Sequence, residues 1–105
     1  MGCYEEALKE TQRALELDPD NALYHLDLGV TLHKMGRYKE ALKEKKRALE
    51  LEPDNALYHN SLGITLHEMG CYEEAQAEKQ RALELDNAEY QNSLNETLHE
   101  LGRSV

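Results

Sequence analysis

The stretch Gly36-Arg37-Tyr38-Lys39-Glu40-Ala41 decides the fold, because it returns as Gly70-Cys71-Tyr72-Glu73-Glu74-Ala75 and is preceded by Gly2-Cys3-Tyr4-Glu5-Glu6-Ala7. The step between copies is 34 residues each time. Working outward, Asn21 to Glu52 aligned on Asn55 to Asp86 gives 22 identities in 32 positions, and Gly2 to Asp18 aligned on Gly70 to Asp86 gives 14 in 17. Identity at that level in one register is an internal repeat, and a period of this length marks stacked supersecondary units. Leu28, Val30, Leu32 and Met35 precede the quoted turn, and Tyr38, Ala41, Leu42, Ala48 and Leu49 follow it. Apolar residues at three and four apart give amphipathic helices on both sides. Gly36 and Gly70 suit helix C-caps, and Asn21 and Asn55 suit N-caps of the helices they precede.

The repeat resembles the tetratricopeptide family, whose unit is a 34-residue pair of antiparallel helices. Leu28-Gly29 and Leu62-Gly63 match the family's Leu-Gly pair, Gly36 to Ala41 its inter-helix turn, and Ala48-Leu49-Glu50-Leu51-Glu52-Pro53 its end. The resemblance implies an all-α fold of antiparallel helix pairs stacked as an α-solenoid, about three repeats in one domain over residues 1–105. Helices are expected near 3–17, 21–35, 37–51, 55–69, 71–85 and 87–101. Gly29, Gly63, Ala41, Ala75, Ala48 and Ala82 let helix backbones approach closely. The family's usual Trp is replaced by His25 and His59, and its large aromatic in the second helix by Thr11, Lys45 and Lys79. A lysine there lays its methylenes along the core and snorkels its head to the surface, so each repeat is expected to be modestly stable and dependent on its neighbours.

Both ends read as half repeats: a second helix without its first at the start, and a polar capping first helix at the end. Such ends, with near-identical repeats between them, fit a piece cut from a longer array or an engineered one. One step breaks the pattern. Leu51-Glu52-Pro53-Asp54-Asn55-Ala56 becomes Leu85-Asp86-Asn87-Ala88, losing two residues and the proline. Nothing between Cys71 and Leu101 is then a Pro or Gly, and two readings stay open. Either the chain turns tightly at Asp86-Asn87, or the last two helices fuse into one of about 31 residues. A fused helix would make Leu85, Asp86, Asn87 and Ala88 the hinge of a domain-swapped homodimer.

A net charge of −9 argues against nucleic acid and against anionic membranes, both of which need clustered cations. Seven of the twelve basic residues, Lys34, Arg37, Lys39, Lys43, Lys45, Lys46 and Arg47, nevertheless gather at mid-chain. No apolar run approaches the ~18 residues of a membrane span, so a cytoplasmic protein is expected. The two cysteines, Cys3 and Cys71, are too few and too far apart in the repeat for a disulfide framework, and both are expected free. No nucleophile is set beside a base, there is no phosphate-binding loop, and the chain reads as non-catalytic, without a cofactor. Equivalent histidines of stacked helix pairs lie on the order of 10 Å apart, too far to share a metal, so none is expected.

In the family, the first helix of each repeat lines a concave groove for a peptide. Carried over by position, the resemblance implies a groove of Leu23, Leu26, Val30, His33 and Lys34, then Leu57, Asn60, Ile64, His67 and Glu68, then Glu89, Asn92, Glu96, His99 and Glu100. It grades from apolar to acidic. The expected partner is a protein or peptide bound as an amphipathic or basic-tailed segment, and the alternative is self-association of the chain with itself.

Overall fold

The computed structural model describes residues 2–86 and 91–103. Among them are six helices and no strand: α1 (Gly2–Leu17), α2 (Ala22–Lys34), α3 (Tyr38–Leu51), α4 (Ala56–Glu68), α5 (Tyr72–Leu85) and α6 (Gln91–Arg103). They form two compact units, Met1–Pro53 with α1 to α3 and Asp54–Val105 with α4 to α6.

The helix boundaries follow from the residues that satisfy backbone ends. Asn21 and Asn55 cap α2 and α4, each side-chain oxygen accepting from a backbone N–H three residues on, that of Tyr24 or Tyr58, at 3.1 Å. Gly36 and Gly70 take φ of +80°, where an L side chain is strained. Around Gly36 the N–H of Arg37 donates to Leu32 O at 2.9 Å and that of Gly36 to His33 O at 2.9 Å. Those two bonds make a Schellman stop, repeated by Cys71 and Gly70 on Leu66 and His67. The chain therefore reverses sharply, and each second helix lies back on its first.

In the first unit Ala22, Leu26, Leu28, Leu32, Ala41 and Ala48 are buried, and Leu8 and Leu15 of α1 pack against Leu28, Leu32 and Ala41. Leu8 and Leu15 are thereby half-buried, while Leu17 stays 89% exposed. In the second unit Tyr58, Leu62, Leu66, Ala75, Ala82 and Leu94 are buried. The Leu-Gly pairs have a steric cause. A Cβ on Gly29 would lie 2.7 Å from Lys45 Cγ and 3.1 Å from Ala41 O, and one on Gly63 would lie 2.8 Å from Lys79 Cγ. The lysine stems run directly over the glycines.

The expected snorkelling is not found, for Lys45 and Lys79 are each 2% exposed. In Lys79 the ammonium finds partners inside, donating to Ser93 O at 3.1 Å and Thr97 Oγ1 at 2.8 Å, so it has no need to reach water. The histidines in the tryptophan places also work by hydrogen bonding: His25 Nδ1 lies 2.8 Å from Glu44 Oε1 and His59 Nδ1 2.7 Å from Glu78 Oε1. Each ties a first helix to its second.

Of the two readings of residues 71–101, the structure holds separate helices. α5 stops at Leu85, and Asp86 is extended at φ −152° and ψ 100°. α6 packs back on α4 and α5 of its own unit. No residue type compels that stop; the buried face of α6, Leu94 and Thr97 with the Lys79 bonds, favours it. Two of the four hinge residues, Asn87 and Ala88, lie outside the described residues.

Candidate functional site

The residues assigned to a groove are distributed differently in the two units. On α2, Leu23 is 50% exposed, Val30 and His33 are half-buried, Lys34 is exposed, and Leu26 is buried in the core. The His33 ring meets Tyr38 edge-on, with centroids 5.0 Å apart. On α4, Leu57 is 52% and Ile64 39% exposed. They stand seven residues apart on one helix face, with Asn60 between them and His67 one turn beyond. Asn60 is half-buried and its Oδ1 is shielded without a hydrogen-bond partner, the sole side-chain atom so placed among the described residues. Rotation about the Cβ–Cγ bond would exchange the ends of that amide.

On α6, Glu96 and His99 are exposed and Glu100 is half-buried. The side chains of Glu89 and Asn92 lie outside the described residues. Leu98, 39% exposed, was not among the positions carried over from the family; its spacing of four from Leu94 was the available signal.

His67 is held on two sides. Its ring meets Tyr72 edge-on at 5.1 Å, and Nδ1 lies 2.9 Å from Thr97 Oγ1, the atom that accepts from Lys79. Burial pushes the Lys79 ammonium down from its ordinary range, against an upward pull from the carboxylates of Glu96 and Glu68. Burial alone pushes Lys45 down to about 8. Sequence reasoning grouped His67 with His33 and His99 and missed Thr97, which is fully buried. The signal was a lysine at an aromatic position, which requires an acceptor inside.

A cavity of about 460 Å³ lies on α3, lined by His25, Lys43, Glu44, Lys46, Arg47 and Glu50. His25 is already bonded to Glu44 there, and Arg47 to Asp20 and Glu50, so those polar groups serve the fold. Among the described residues no three His, Cys, Asp or Glu side chains converge on a metal-sized site. Cys3 is exposed, Cys71 is half-buried, and both thiols are free. No helix of the described residues is long and apolar enough to cross a membrane.

Helix pairs of this length, closed by a glycine turn and packed through a Leu-Gly pair, define a helical-repeat protein. The family model described as TPR repeat matches residues 1–36 and 32–70, and the chain belongs to that tetratricopeptide repeat family. No curated protein matches it. Among solved structures, the first TPR of Spaghetti (RPAP3) bound to HSP90 peptide SRMEEVD superposes with a TM-score of 0.89 at 22% identity, over 96% of this chain and 82% of that one. The Sgt2 TPR domain from Aspergillus fumigatus superposes at 0.90 with 18% identity, over 96% of this chain and 70% of that one. A mutant O-GlcNAc transferase from Thermobaculum terrenum gives 0.87 at 30% identity, over 91% of this chain but 19% of the transferase.

Proposed function

We propose that the chain is a protein-interaction module that holds a peptide against the exposed face of α4 in its second unit. One observation carries the reading: Leu57 and Ile64 stand open on α4, seven residues apart on one helix face. Two apolar anchors at helical spacing suit a segment that lays apolar side chains against them. The solved relative that carries an HSP90 peptide lends the fold-level precedent. The acidic side chains Glu68, Glu96 and Glu100 favour a basic segment here over an acidic tail.

Chemical-shift mapping tests the proposal, using a peptide selected on the protein from a random display library. The reading expects the largest shifts at Leu57, Asn60, Ile64 and His67. Shifts confined to the outer faces of α1 and α3 would refute it.

A further inference from the structure

The hydrogen bonds behind His67 constrain its proton. A lysine ammonium is a donor with no acceptor capacity, so Lys79 Nζ occupies a lone pair of Thr97 Oγ1 at 2.8 Å. The threonine hydroxyl has one proton to give. Among the described residues its one remaining neighbour at hydrogen-bond distance is His67 Nδ1, at 2.9 Å. With the hydroxyl donating, Nδ1 must accept, and a neutral imidazole then carries its proton on Nε2. Thr65, the matching threonine of α4, turns its hydroxyl along its own helix to Ser61 O at 3.5 Å.

His67 is half-buried, and Nε2 sits on the ring edge away from Nδ1. His67 shares the α4 face with Leu57, Asn60 and Ile64.

Resting on the peptide-binding reading above, we propose that the Lys79–Thr97–His67 chain fixes His67 as an Nε2–H donor, which bonds a backbone carbonyl of a basic peptide lying on α4. Charge selects that occupant. The second unit carries ten acidic residues, Asp54, Glu68, Glu73, Glu74, Glu78, Glu84, Asp86, Glu89, Glu96 and Glu100, against Lys79, Arg81 and Arg103. Glu68 adjoins His67 in sequence, and Glu68 and Glu96 both act on Lys79. A carboxylate brought to Nε2 would meet their repulsion, whereas a neutral carbonyl flanked by Lys or Arg would not. A metal ion would need the Nε2 lone pair, which this tautomer does not offer.

Long-range proton–nitrogen correlation spectra of the histidine rings in the full chain test the first half without any ligand. In its neutral form, His67 should show a protonated Nε2 and a bare Nδ1. Thr97→Val, which removes the hydroxyl at nearly constant volume, should convert this to a mixture with the fold retained by circular dichroism. A wild-type Nδ1–H tautomer overturns the inference, whatever binds.

The second half uses the display-selected peptide. His67→Phe, which keeps an aromatic ring beside Tyr72, should weaken binding about tenfold, the value of one hydrogen bond to a polar partner. Unchanged affinity, with the peptide still mapped to α4, overturns the donor role and leaves the groove standing. A peptide mapped elsewhere overturns both.

Discussion

Lys45 and Lys79 fill places where the family has a large aromatic, and each lays its stem over a glycine. Gly29→Ala should therefore destabilise the protein by about 1–3 kcal/mol, since the new methyl meets Ala41 O as well as the lysine. Gly102→Ala is the control: nothing lies within 4 Å, and an exposed helical glycine replaced by alanine stabilises by up to ~1 kcal/mol. Urea denaturation of both variants measures the contrast. Lys45 also sets a pH dependence. Its folded-state pKa, about 8, lies below the ordinary 10.5, so the folded state gives up this proton before the unfolded chain does. The cost of burying the charge is fully present below pH 8 and is relieved between about 8 and 10.5, so stability rises with pH in that window. Between pH 8 and about 9.5 the gain should be on the order of 2 kcal/mol, and Lys45→Met should flatten it. Parallel pH profiles for parent and variant would contradict this.

At the scale of helices, the stops were legible wherever a residue type enforces them. Gly36 and Gly70 adopt positive φ, and Asn21 and Asn55 offer cap oxygens to the helices they precede. Asn55→Ala should cost about 1 kcal/mol of stability by losing the bond to Tyr58 N, measurable as a lowered urea midpoint. The end of α5 was ambiguous for a physical reason. No proline or glycine marks it, and the gain that favours stopping comes from long-range packing of Leu94, Thr97 and Lys79, which helix periodicity does not display. Because Asp86 is already extended, inserting Pro-Asp after it should leave the mass measured by light scattering unchanged. A lower mass for the insertion variant would show that the short linker drives assembly.

For the molecule as a whole, the repeat period and the Leu-Gly and Gly-x-Tyr signatures were sufficient to reach the family, because repeats copy both pattern and register. The candidate site was legible in part. Leu23, Leu57 and Ile64 are exposed where apolar side chains have no structural need to be, yet Leu26, at an equally apolar position, is core. One apolar letter does not say which side of a helix the next one covers. The link from Lys79 through Thr97 to His67 joins three helices of one unit and has no short-range signature. The central claim is that the open face of α4 binds peptide, and affinity for a display-selected peptide tests it most directly. Ile64→Lys should abolish detectable binding, while Leu17→Lys, on the exposed end of α1, should leave it unchanged. Equal binding by parent and Ile64→Lys would contradict the claim.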